Sequence, residues 1–327
     1  MTYILVTGAA GFIASNLLVY LVNKYPQKKF LGIDKESYCS NTRNFLEIQG
    51  RDNFLYRKLD LLDESGVRQL FADYAISTVL HLGAYSHVDL SFGNSLLFTQ
   101  NNVVATHILL EESKRSSVEL FLYFSTDEVY GSRDEISHET STRDPSNPYS
   151  NSKACGEFLA RSYYHSFKMP VIVTRCNNVY GPKQFLEKVI PKFIFRLFYD
   201  QSLQIQGSGE QKRSFLYVDD VSKAVDILLD KGIPGEIYNI GTTNEITINT
   251  LAEKLTFLLG KERNIQHITD RNFNDQRYLI SSEKIQQLGW AIETDFQEGL
   301  TKTIEWYRLN KDFYSDEILH DYVGIDS

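Results

Sequence analysis

The chain has 327 residues, 42% hydrophobic and 23% charged, the balance of a globular protein rather than a disordered or fibrous one. Its 34 basic and 42 acidic side chains leave a formal charge of −8, which disfavours a partner bound through a nucleic-acid backbone. No stretch approaches the roughly 18 consecutive apolar residues of a membrane span, and the opening run Tyr3-Ile4-Leu5-Val6 lacks the basic lead-in of a secretory signal. Cys39, Cys155 and Cys176 are an odd set at unrelated spacings. They suit a reducing, cytoplasmic setting with no zinc site, and Cys155 and Cys176 read as small buried residues.

Apolar runs rich in β-branched and aromatic residues at 3–7, 30–34, 54–61, 78–84, 120–126 and 171–176 read as buried strands. Helical stretches at 15–25, 63–74, 102–115 and 149–168 separate them. This alternation predicts an α/β fold, a doubly wound parallel (Rossmann) sheet with helices on both faces. After about Gly181 the rhythm breaks, with helices expected at 188–199, 219–229 and 247–259 and short strands at 215–218 and 237–241. Residues 1–180 are therefore expected to form a dinucleotide-binding domain, to which segments around 215–241 return. Residues 181–327 would mostly form a smaller α/β substrate lobe over the carboxyl ends of the strands, where open α/β sheets bind ligands. The tail from Asp312 reads as an acidic surface element.

The first strand runs into Gly8-Ala9-Ala10-Gly11-Phe12-Ile13-Ala14 and then a helix. Gly8 permits the tight turn, and Gly11 lets the backbone approach a pyrophosphate seated on the helix N-terminus. Asp34 ends the second strand, where an acid accepts the ribose hydroxyls and repels a 2′-phosphate. The pattern predicts NAD rather than NADP, with the neighbouring Lys35 the one opposing feature. Further along, Y-x-x-x-K occurs five times, beginning at Tyr20, Tyr25, Tyr149, Tyr164 and Tyr307. Only Tyr149 opens a helix, after Pro148, downstream of a strand with the polar ending Ser125-Thr126-Asp127. A lysine one turn on, Lys153, is expected to lower the phenol's pKa and make it a general base.

Taken in order, these residues are familiar. The glycine turn, Tyr149 with Lys153 and the β-α order resemble the extended short-chain dehydrogenase/reductase family. Ser125-Thr126-Asp127-Glu128-Val129-Tyr130-Gly131, Asn147-Pro148-Tyr149-Ser150, Cys176-Asn177-Asn178-Val179-Tyr180-Gly181-Pro182 and Glu187-Lys188 narrow the likeness to nucleotide-sugar 4,6-dehydratases of the dTDP-glucose type. Arg213, Tyr238-Asn239-Ile240-Gly241, and Asp275 with Arg277-Tyr278 extend it over nearly the whole chain.

The resemblance implies a catalytic set of Thr126, Asp127, Glu128, Tyr149 and Lys153. In it Asp127 would be the acid, Glu128 the base, and Thr126 would hydrogen-bond the sugar 4-oxygen. It places Gly8, Gly11, Phe12, Ile13, Asp34, Lys35, Asp60, Leu61, Leu82, Gly83 and Ala84 along the cofactor, with Tyr149 and Lys153. Ser86, Thr126, Asn178, Lys188, Arg213 and Arg277 would meet a nucleotide-sugar substrate. It also implies a homodimer built on the tyrosine helix, whose Phe158, Leu159, Tyr163 and Phe167 could serve core and partner alike, and no metal; His81 would face the core.

Two departures bear on the substrate. Tyr85 and Leu90 stand where dTDP-glucose members carry an acid and an arginine, and Asn101, Val179 and Gln276 also differ from that pattern. A UDP-linked hexose, of glucose or N-acetylglucosamine type, is the expected alternative to dTDP-glucose. The competing readings are a nucleotide-sugar epimerase or decarboxylase of the same fold, which would lack the Asp127–Glu128 pair, and a catalytically silent NAD-binding regulator.

Overall fold

Strands β1 (Tyr3–Thr7), β2 (Lys29–Asp34), β3 (Phe54–Lys58), β4 (Ile76–His81), β5 (Leu120–Thr126) and β6 (Val171–Cys176) form from the apolar runs. Most of their side chains are buried whichever face they point to, so only a parallel sheet covered on both sides can hold them. Later come β7 (Asn178–Tyr180), β8 (Leu203–Gln206), β9 (Lys212–Tyr217), β10 (Ile237–Ile240), β11 (Glu245–Thr247) and β12 (Ile265–Ile268).

The computed structural model describes residues 2–270 and 275–324. In it seven strands pair in the order β10-β6-β5-β4-β1-β2-β3, and all of these pairings are parallel. The order reverses between β1 and β4, which opens a crevice at their carboxyl ends. Register sets what meets there. Thr7 lies beside Ile33 and His81, and Thr126 beside Cys176.

Alternation along each strand splits the core into two layers. Ile4, Val6 and Phe30 join one cluster under the Phe12–Lys24 helix, while Leu5 and Leu31 join the other with Val79 and Phe121. A third cluster, around Phe193, Leu251, Leu300 and Tyr307, holds the later elements. The Val218–Lys231 helix packs beside Phe12–Lys24, and β10 joins the main sheet. By contrast, β9 starts earlier than the expected 215–218 strand and pairs with β7 and β11 outside that sheet.

Three expectations need correcting. Cys155 is exposed, on the outer side of its helix, while Cys176 is buried. The stretch before residue 105 is helical too, as Ser95–Thr99 followed by a π turn at Gln100–Val104. The tail is more than an acidic surface. Phe313, Tyr314, Leu319 and Val323 are buried in the third cluster, while Asp316 and Glu317 of the Ser315-capped Asp316–Val323 helix are exposed. Residues 325–327 of that tail lie outside the described residues.

Candidate active site

The turn after β1 is shaped by glycine. Gly8 has φ +70°, and a methyl group there would lie 2.8 Å from the Gly83 Cα, so only glycine lets the β1 and β4 ends close together. Thr7 ties the same two ends, because the Gly83 N–H donates to its Oγ1 at 3.0 Å. Asp34 Oδ2 accepts from the Ala10 N–H at 3.1 Å, and its Oδ1 accepts from the Glu36 N–H and the Ser40 hydroxyl. Its carboxylate is therefore fixed at the mouth of the turn. Lys35 bends away from it. Its amine donates to Asn101 at 2.5 Å and lies 4.2 Å over the Tyr85 ring, where it offers nothing to a 2′-phosphate beside Asp34.

The tyrosine helix, Pro148–Phe167, begins with a complete capping box, Asn147 accepting from the Ser150 N–H and Ser150 accepting from Asn147 N–H. Asn147 has a second task. Its amide donates to Glu128 at 3.2 Å, joining the helix start to the carboxylates. Those sit in the one-turn 3-10 helix Asp127–Tyr130 directly after β5. Because β5 and β6 pair with Thr126 opposite Cys176, Asn177 reaches Asp127 and donates to Oδ2 at 2.6 Å. Thr126 donates to the other oxygen at 3.2 Å. Asn147 and Asn177 sit inside the Asn147–Ser150 and Cys176–Pro182 motifs, but their bonds to Glu128 and Asp127 arise only from the fold.

A single cleft of about 550 Å3 collects the candidates. Gly8, Gly11, Phe12, Ile13, Asp34, Lys35, Asp60, Leu61, Leu82, Gly83 and Ala84 line its cofactor side. Ser86, Thr126, Glu128, Tyr149, Lys153, Asn178, Lys188 and Arg213 line the rest. Two candidates are not brought to its wall. Asp127 is buried behind Thr126. Arg277 is turned outward, its guanidinium held by both oxygens of Glu245 at 2.8 Å. Its neighbours Asp275 and Tyr278, hydrogen-bonded to one another, line the cleft instead.

Burial decides the electrostatics. Asp127 is pushed up to about 7 by burial and then by the charge of Glu128, which brings its proton exchange into the neutral range. Burial also raises Glu128, against the Asn147 bond that lowers it. Lys153 is pushed down to about 7 by burial, although the charge of Glu157 opposes this. Tyr149 moves opposite to expectation: burial and the negative charge of Glu128 hold its phenol above the ordinary value. Spacing alone could not show this, since the lysine's effect depends on its own charge surviving burial. The surface pair Tyr20–Lys24 makes the direct contact that the motif suggests, 3.0 Å, yet opens no cleft. His81 bonds Thr7 and Thr106 and is lowered to about 3 by burial, a neutral core residue.

Comparison with known proteins places nearly the whole chain among relatives. The family model described as GDP-mannose 4,6 dehydratase matches residues 5–303. The human dTDP-D-glucose 4,6-dehydratase is 46% identical over 316 residues, covering 94% of this chain and 90% of its own. A trifunctional enzyme of Arabidopsis thaliana, UDP-glucose 4,6-dehydratase/UDP-4-keto-6-deoxy-D-glucose 3,5-epimerase/UDP-4-keto-L-rhamnose-reductase, is 45% identical over 320 residues. That match covers 96% of this chain and 48% of the plant protein, so the chain spans about half the length of that relative. Among solved structures, the dTDP-glucose 4,6-dehydratase of Streptomyces venezuelae, with NAD bound, superposes with a TM-score of 0.93 at 32% identity. It covers 97% of this chain and 100% of that one.

Proposed function

The chain belongs to the GDP-mannose 4,6-dehydratase family, and on that footing we propose that it is an NAD-dependent nucleotide-sugar 4,6-dehydratase. It is a hydro-lyase that converts a UDP- or dTDP-linked hexose of glucose or N-acetylglucosamine type to the 4-keto-6-deoxy sugar. The observation that carries this reading is the meeting of Glu128 and Tyr149 on one cleft wall with Asp127 directly behind, held by Thr126 and Asn177. An epimerase of the same fold has no use for that carboxylate pair.

The cofactor side fits a dinucleotide. The Phe12–Lys24 helix starts from Gly11 with no side-chain cap, which leaves its first N–H groups to a pyrophosphate, and Asp34 suits ribose hydroxyls. NAD held there by the Gly8 turn and Asp34 would supply reversible hydride acceptance between C4 and C6 of the sugar. The protein moves the protons. Tyr149 takes the proton of the 4-hydroxyl as its own phenol proton, which burial holds on it, passes toward the Lys153 amine, and Thr126 holds the 4-oxygen. The ketone acidifies C5–H and Glu128 removes that proton; Asp127, behind the wall, supplies a proton through the Thr126 hydroxyl that touches it, and the 6-hydroxyl leaves as water. Lys188, Asn178 and Arg213 hold the diphosphate end, guanidinium being suited to paired phosphate oxygens.

The division of labour follows the chain: residues 1–180, with the 218–240 segment, hold the cofactor, and the remainder holds the nucleotide sugar. The protein works as a cytoplasmic homodimer. Supporting the dimer, Leu96 and Val104 stand exposed beside the tyrosine helix, which itself exposes Phe158 and Phe167; Tyr163 is committed to the core and Leu159 packs against it.

The test is incubation with UDP-glucose, dTDP-glucose and UDP-N-acetylglucosamine in D₂O, with products read by NMR. A 4-keto-6-deoxy sugar with deuterium at C5 and a C6 hydrogen derived from C4 is expected. Epimerisation at C4 with the 6-hydroxyl retained would overturn the reading.

A further inference from the structure

The Asp316–Val323 helix lies past the end of the family-matched region, residues 5–303, yet its Tyr322 and Asp321 line the same cleft as Tyr149. The helix is firmly seated. Leu319 and Val323 are buried, Arg196 donates to the Val323 carbonyl at 2.5 Å, and Gln201 donates to the Gly324 carbonyl at 2.9 Å.

From this seat Tyr322 starts a row of rings. It lies 6.4 Å from Tyr38 with planes 15° apart, and Tyr38 lies 6.3 Å from Tyr85 with planes 8° apart. Phe185 closes the row edge-on, 4.8 Å from Tyr322 and 5.7 Å from Tyr38. Beyond Tyr85 the contacts continue through Phe98, 5.8 Å away, to Tyr149, a further 6.3 Å. The Tyr38 hydroxyl donates to the buried Glu187 at 2.8 Å, and the adjacent Lys188 donates to the Ser86 carbonyl at 2.8 Å. So the Glu187–Lys188 segment ties the middle of the ring row to the Ser86 loop. Tyr85 and Tyr322 line the cleft, Tyr38 stacks near-parallel with each of them, and the Lys35 amine stands 4.2 Å over the Tyr85 ring.

We propose that Tyr322 is a positioning residue for the sugar: through Tyr38 it fixes the Tyr85 ring as the wall against which the hexose is held beside Tyr149. This rests on the dehydratase reading above. Sugar rings present C–H faces that pack on aromatic planes, whereas a nucleoside diphosphate by itself has no hexose to place there. The wall should therefore matter to the complete nucleotide sugar and little to the free diphosphate.

The test compares Tyr322→Ala and Tyr322→Phe with the unaltered protein carrying its cofactor. Binding of UDP-glucose, dTDP-glucose, UDP and dTDP is measured by calorimetry, beside kcat and KM. Tyr322→Ala should weaken binding of whichever nucleotide sugar is turned over by about tenfold, the scale of one lost ring contact. Binding of its free diphosphate should change by less than about twofold. Tyr322→Phe, which keeps the ring, should restore sugar binding. Equal losses for sugar and diphosphate, or no loss, would overturn the proposal. If Tyr322→Ala does not accumulate folded, Tyr38→Leu breaks the same row from the β2 loop and must give the same split. A wild-type protein that binds both nucleotide sugars but dehydrates neither would instead sink the dehydratase reading, and the binding comparison would still judge Tyr322.

Discussion

Asn177 donates to Asp127 at 2.6 Å from the end of the neighbouring strand, and this bond holds one carboxylate of the pair behind Thr126 while Glu128 stays in the cleft. Two adjacent acids thus receive different surroundings from one pairing of β5 with β6. That difference is what acid and base roles require.

The first prediction concerns stability. Asp127 is raised from 3.8 to about 7 in the folded protein, so between roughly pH 4 and pH 7 the folded state binds more protons than the unfolded one. By linkage its contribution is present at low pH and is lost as pH rises through about 7. Asp127→Asn removes the buried charge and keeps an acceptor for Asn177. Calorimetry should find the variant more stable than wild type at pH 8, by about 1–3 kcal/mol, with the gain vanishing near pH 4. An equal effect at both pH values would contradict the assigned burial.

Glu128→Gln tests the elimination step separately from oxidation. The amide cannot accept the C5 proton, so dehydration should fall by about 10²–10⁴-fold, the usual cost of losing a positioned base. Oxidation should survive, seen as absorbance at 340 nm that rises with substrate and decays slowly. Undiminished product formation would remove Glu128 from its role.

Tyr149→Phe should do the reverse. Without the hydroxyl no 340 nm absorbance should build up, although substrate binding, measured by calorimetry, should change by less than about threefold. Retained oxidation would mean that another group takes the 4-hydroxyl proton.

Cofactor choice should follow Asp34. Released nucleotide from purified protein is expected to be NAD, identified by chromatography. Asp34→Asn removes the negative charge that repels a 2′-phosphate and should narrow the preference for NAD over NADP by at least about tenfold. It should also cost some stability, since Glu36, Ser40 and Ala10 all donate to that carboxylate. An unchanged preference would point to Lys35, which the structure turns toward Asn101.

The assembly prediction uses the exposed apolar residues on the run beside the tyrosine helix. Light scattering should give twice the 37.7 kDa chain mass, and Leu96→Asp combined with Val104→Asp should give the single mass. A monomer for the unaltered protein would refute the dimer.

Sequence alone determined the parallel sheet, because strands buried on both faces must be apolar at successive positions, and that is a local pattern. The Gly8 turn, the Pro148 helix start and the carboxylate pair were legible for the same reason: a backbone angle, a cap or a motif spacing is written in adjacent residues. What only the tertiary structure decided lies between residues far apart in the chain. Burial in the shared cleft pushes Tyr149 up and Lys153 down, where the four-residue spacing suggested an acidified phenol. Glu245 draws Arg277 away while Tyr278 takes the cleft. Tyr322 reaches the site across 284 residues to stack on Tyr38, from a tail whose acids hid its four buried apolar side chains. Desolvation and ring stacking depend on what packs against a residue from every side, and no run of neighbours in the chain specifies that.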